Sequence, residues 1–351
     1  MRIRRTFPIA LVVVIVAAAV TLTVQLRKQA PPECARLLPG ADAFLYANLG
    51  WARKANTEKS LLPVPHDPEY ERFIQETGFD YERDLDSVAF AVHYPQSWPG
   101  GGTGGNSPEP RFSEVFEAHF DGTKCIAFLK RTATSVENYH SVDIYSIPLA
   151  GRTFRIAILG VDTVAASNHD DPNVIRGIVD RSRRLASPFG GPAFLRRYYR
   201  RVQLASPVWL IARVEPNAPE FDGWSTVFPK STNVVISASY NPLHLPLRTG
   251  VMHVRAEAST DSKEDAHAIA EKLGVFLSIF HSAEESVGSP GSDADLKTLF
   301  DSLHVRQEDS RAVLVATVPT GVFRKLVDSP EQLPALANPG QQMERPQSRK
   351  H

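Results

Sequence analysis

Only two cysteines, Cys34 and Cys125, occur in 351 residues, which excludes a disulfide-dense scaffold. Neither belongs to a C-x-x-C pair, so a thiolate zinc knuckle is excluded as well. Also missing are a G-x-S-x-G nucleophile elbow, an H-E-x-x-H helix and a dinucleotide-binding glycine fingerprint. No cofactor and no metal is therefore implied, although an enzyme whose groups converge from distant positions stays open. Net charge is lacking too, with 39 basic residues against 39 acidic ones. Five of the basic ones (Arg2, Arg4, Arg5, Arg27 and Lys28) flank one apolar run, so the rest of the chain is slightly acidic. That argues against a nucleic-acid binder.

What is present is that run, Phe7 to Leu26, with no polar residue between Ile9 and Val20. About 20 apolar residues suffice to cross a bilayer as a helix. The expectation is a cytoplasmic basic stub over residues 1–6 and a single transmembrane helix over residues 7–26, with the lipid bilayer as its partner. The arginines before the run outnumber the basic pair after it, which places the N-terminus in the cytoplasm. In a bacterium the anchor then sits in the inner membrane and the long C-terminal part is periplasmic or extracellular. A cleaved secretory signal is the alternative, since Ala17 and Ala19 have cleavage-site spacing. A cut there would leave Val20, Leu22, Val24 and Leu26 as an apolar mature end. An oxidising compartment would allow Cys34 and Cys125 to pair; otherwise Cys34 is a linker thiol and Cys125 lies on a helix face.

Residues 27–36 read as a spacer, and an α+β fold follows, with helices packed on antiparallel sheets. Ala43 to Leu49, Val88 to Val92 and Val115 to Phe120 alternate as half-buried strands do. Val142 to Ile147, Phe154 to Leu159 and Thr163 to Ser167 follow in close order. Asp67 and Pro68 start a helix that Gly78 stops, and Asp121 starts another. Asn168 to Pro172 form a third helix entry, ahead of Val174, Ile175, Ile178 and Val179. The glycine-rich excursion from Pro95 to Pro110 lacks the Lys-Ser or Lys-Thr ending of a phosphate loop and reads as a surface loop. Gly190 and Gly191 divide a first lobe, 37–189, from a second, 190–328. The second has strands at Val208 to Val214, Asn233 to Tyr240, Met252 to Ala258 and Arg311 to Val318. Its clearest helix follows Ser262, with Ala266, Ile269, Ala270, Leu273, Phe276, Leu277 and Phe280 at helical spacing. Residues 329–351 read as a disordered tail. The order strand, loop, strand, helix recurs in both stretches, so two related β-β-α lobes are one reading. A single irregular α+β domain is the other.

Leu38-Pro39-Gly40-Ala41-Asp42-Ala43, Gly78-Phe79-Asp80 and Asp84-Leu85-Asp86-Ser87-Val88, placed behind the apolar run, resemble uncharacterised membrane-anchored bacterial proteins with a periplasmic α+β region. The resemblance implies a location and a fold and supplies no catalytic residues.

The most unusual cluster is Arg196, Arg197, Tyr198, Tyr199, Arg200 and Arg201, with Arg181, Arg183 and Arg184 upstream. Guanidinium groups grip phosphates and carboxylates in a bidentate way, and tyrosines offer stacking faces. Such a patch suits an anionic envelope polymer, lipid headgroups or the acidic surface of an envelope protein. The plainer alternative buries the tyrosines in a core and leaves the arginines solvated or paired. His267 with Glu271, and His281 with Glu284 and Glu285, have ligand-like spacing, but a solvated helix face explains them. The expected function is a non-enzymatic binding or assembly role in the cell envelope. The competing class is an envelope hydrolase with dispersed catalytic residues.

Overall fold

Segments of five to nine residues that alternate or run apolar all enter one sheet. The computed structural model describes residues 30–55, 67–94, 110–149, 151–183, 190–216, 225–228, 230–240, 251–286, 294–319 and 322. The strands are β1 Ala43–Asn48, β2 Leu85–His93, β3 Arg111–Ala118, β4 Ser135–Tyr139, β5 Val142–Leu149, β6 Arg152–Ile158, β7 Thr163–Ser167, β8 Val208–Val214, β9 Thr232–Tyr240, β10 Val251–Ser259, β11 His304–Glu308 and β12 Arg311–Pro319. They form a 12-stranded sheet in the order β11-β12-β10-β9-β8-β1-β2-β3-β7-β6-β5-β4. The antiparallel sheets expected from the sequence are thus one sheet shared by both stretches. In its interior β1 pairs with β8, Leu45 opposite Leu210. Outward from that pair the order is alike on both sides, β1-β2-β3-β7 and β8-β9-β10-β12.

Cross-strand partners share a face, and one row shows how the two faces divide the work. Ile144, Ala157, Ala165, Val115, Ala89, Tyr46 and Trp209 lie opposite one another from β5 to β8. The row continues through Ser237, Arg255 and Val315 to β12. Its apolar half is roofed by helices, and among the described residues its polar half is not. The roof consists of α1 Glu33–Leu37, α6 Asn173–Arg183 and α7 Ala193–Tyr199, numbered in chain order with α2 Leu49–Ala55, α3 Pro68–Thr77, α4 Tyr81–Asp84 and α5 Gly122–Thr132 between them. Ile175, Ile178, Val179 and Leu195 enter this core at 1% exposure or less, and each is worth about 1.5–3 kcal/mol of transfer free energy. The opposite face is covered at one end by α3 and α5 and at the other by α8 Lys263–Ser286 and α9 Ala294–Ser302.

Capping chemistry sets the helix ends. The Asp67 carboxylate accepts the Tyr70 N–H at 2.7 Å, and Gly78, at φ 70°, takes the left-handed stop. Asp121 accepts from Thr123 and Lys124, and the Ser262 hydroxyl accepts the Asp265 N–H at 3.0 Å.

Two expectations are corrected. Residues 27–36 are not a spacer throughout, because α1 begins at Glu33 and buries Cys34, Ala35 and Leu37. Cys34 is therefore a core thiol, and both cysteines are free. The basic stub 1–6, the apolar run 7–26, the glycine-rich excursion over 95–109 and the tail 329–351 lie outside the described residues. Among the described residues, no helix is long and apolar enough to cross a membrane.

Candidate functional site

The arginine and tyrosine cluster occupies α7 and the turn behind it, where the apolar half of the sheet row gives way to the polar half. Leu195 and Tyr198, three residues apart, point into the core at 0% and 6% exposure. Arg196, Arg197 and Arg200 take the outer side and are exposed, while Tyr199 and Arg201 are half-buried. The tyrosines are thus core residues, as the plainer reading had them. Tyr199 meets Trp209 edge-on at 5.4 Å, and burial pushes its hydroxyl up to about 12, so it stays protonated.

The arginines are organised by rings beneath them. The Arg197 and Arg201 guanidiniums lie 5.5 Å and 5.2 Å from the Tyr198 ring centre. Phe194 is 5.0 Å from Tyr198, and Arg213, from β8, stands 5.3 Å over Phe194. Three guanidiniums therefore rest on two adjoining rings, and Arg200 is three residues from Arg197 on the same helix side. A guanidinium stacked on a ring keeps its N–H edge free for a planar anion. Arg201 donates to Ser259, whereas no carboxylate pairs with Arg197, Arg200 or Arg213 among the described residues. Several arginines elsewhere are matched by carboxylates, as in Arg53–Asp86, Arg111–Asp170, Arg176–Glu137 and Arg255–Glu257. Arg181 and Arg183 do not extend the patch: Arg181 donates to the Leu37 carbonyl and Arg183 to that of His140. Arg184 lies outside the described residues.

No protein-family model matches the chain, and no curated protein does. Among solved structures it is similar to TP0453. Crystal form III of TP0453 aligns with a TM-score of 0.43 and 9% identity, over 85% of this chain and 99% of that one. Form IV gives 0.41 and 9% over 85% and 98%, and form I gives 0.40 and 8% over 86% and 98%.

The remaining polar clusters are arranged as follows for hydrolytic chemistry. Ser87, buried, donates to Glu117 at 2.7 Å and lies 3.6 Å from the Cys34 sulfur. Burial pushes the Cys34 thiol up to about 12, which keeps it protonated and unreactive. His119 meets Asp86 at 3.1 Å next to this group, but the Ser87 hydroxyl is directed to Glu117 instead of the imidazole. His253 reaches the Thr317 hydroxyl at 3.4 Å, a long contact. His267 and Glu271 form a surface pair at 3.3 Å with both side chains more than half exposed, and the side chains of His281, Glu284 and Glu285 lie outside the described residues. Among the described residues, no three metal-ligating side chains gather. Sequence reasoning missed Phe194 and Arg213 as members of the basic patch. Phe194 precedes the cluster by two residues and carried a signal, whereas Arg213 arrives from another element.

Proposed function

We propose that the chain is a single-pass, membrane-anchored extracytoplasmic protein of the bacterial cell envelope, with a non-enzymatic binding role. Its ligand is an anionic envelope polymer, held by Arg197, Arg200, Arg201 and Arg213. One observation carries this reading: three of those guanidiniums are held on the Phe194 and Tyr198 rings, and Arg197, Arg200 and Arg213 have no carboxylate partner among the described residues. The anchor rests on the apolar run of residues 7–26, and the like strand order of the two sheet halves favours related lobes meeting near Gly190.

A basic residue near an anionic surface contributes about 1 kcal/mol. Four together are worth about 4 kcal/mol, close to a thousandfold in affinity. Binding of the purified chain to a long-chain polyphosphate, measured from 50 to 300 mM salt, tests the site. The variant with Arg197, Arg200, Arg201 and Arg213 changed to alanine is expected to bind far more weakly and with a shallower salt dependence. Equal binding and an equal salt slope in both proteins would sink the proposal.

A further inference from the structure

A cavity of about 130 Å³ lies on the other face of the sheet, between α3, α5 and strands β3, β6 and β7. Five of its lining residues are phenylalanines: Phe73, Phe79, Phe116, Phe120 and Phe128. Their rings meet in edge-to-face and offset contacts, Phe73 with Phe128 at 5.4 Å, Phe73 with Phe79 at 6.2 Å, and Phe79 with Phe116 at 6.1 Å. Polar groups are turned away. The Thr77 hydroxyl donates to the Phe73 carbonyl at 2.7 Å and accepts the Phe79 N–H at 3.1 Å, so its donor is spent on the backbone. Among the described residues, no charged side chain lines the space.

An apolar cavity of about 150 Å³ stays dry and takes up benzene, so this one has room for a group of similar size. Unlike a core defect, it is partly open to solvent, and Phe73, Phe79 and Phe128 remain half-buried around it. We propose that this cavity binds an uncharged apolar group about as large as benzene, the box of phenylalanine rings supplying dispersion contacts and rejecting charge. An aromatic ring and the end of a hydrocarbon chain share that chemistry. The site is independent of the arginine patch.

Cys125 lines the cavity and reports on it, while the fully buried Cys34 serves as an unreactive control. The test is the rate of Cys125 alkylation by iodoacetamide in the folded chain, with toluene, n-hexane or benzylamine added, alongside calorimetric titration of the same probes. At ten times its dissociation constant, an occupant slows alkylation about tenfold. Toluene or hexane is expected to do so, and the better protector identifies ring or chain. Benzylamine, of the same size but charged, is expected to leave the rate unchanged. Val164→Phe, and separately Ile158→Phe, fill the space and should abolish protection. If toluene and hexane produce no heat and no protection of Cys125 in the unaltered protein, the proposal is overturned, whatever the variants do.

Discussion

Glu257 lies on the polar half of the sheet at 3% exposure and is gripped from both sides. One carboxylate oxygen accepts from Arg255 Nε at 2.7 Å and the other from Arg311 Nη1 at 3.0 Å. Glu308 backs the same two arginines, at 2.9 Å and 3.4 Å. Each hydrogen bond to a charged group is worth about 1.5–3 kcal/mol, so Glu257→Ala removes about 3–6 kcal/mol at first count. The loss is softened because Glu308 keeps both arginines partly neutralised and because their side chains are 20% and 32% exposed, within reach of water. We expect about 3 kcal/mol, or about 6 °C in Tm for a chain of this size. Removing the partner as well should recover part of that, since an apolar pair leaves no uncompensated charge. Arg255→Met with Glu257→Met should therefore melt above Glu257→Ala. Thermal melts by circular dichroism and urea midpoints measure both. A Glu257→Ala protein melting within a degree of the unaltered chain would refute the view that this carboxylate holds the polar face together.

Two further perturbations address other parts of the fold. Gly191 has φ 103°, and an added Cβ would stand 3.2 Å from the Arg36 Cα; Gly191→Ala should cost about 2 kcal/mol through strain at that angle, read as a lowered urea midpoint, and an unchanged midpoint would show that α1 and α7 yield freely. His93 is buried, with its Nε2 unpartnered among the described residues, and burial followed by the neighbouring His169 pushes it down to about 4; Asp42 opposes the shift. Between that value and its ordinary one the unfolded chain binds the extra proton, so stability falls as pH drops from about 6.5 to about 4. At 1.36 kcal/mol per pH unit the loss reaches up to about 3 kcal/mol. His93→Gln should flatten urea midpoints across that window, and an undiminished slope would count against the assignment.

Much of the fold was legible because its signals are local. Asp67, Pro68 and Gly78 bracket α3, and alternation marks β5, β6, β8, β9, β10 and β12, since capping and pleating act over a few residues. β4 and β11 escaped notice for a physical reason. They are the two edges of the sheet, with only half-buried or exposed positions, so no apolar alternation was needed to hold them. α1 escaped for the opposite reason. Its five residues carry no helical periodicity, and their burial comes from β2, β3 and α6 packing over them. α8 forms as its spacing predicts, but Phe276 of its apolar stripe is 52% exposed. A helix of 24 residues spans about 36 Å, more than the roughly 30 Å of a nine-residue strand, so a periodic apolar stripe need not be buried throughout. The arginine cluster stood out by composition, but what makes it a candidate is the pairing state of each guanidinium, and that is a tertiary property. Arg176 and Arg197 both lie on helices beside a tyrosine ring, at 5.7 Å and 5.5 Å. Only Arg176 also meets a carboxylate, Glu137 from β4. The Glu137 carboxylate comes from another element of the fold, so the reading of Arg197 as a binding group depends on which strands the fold sets opposite it.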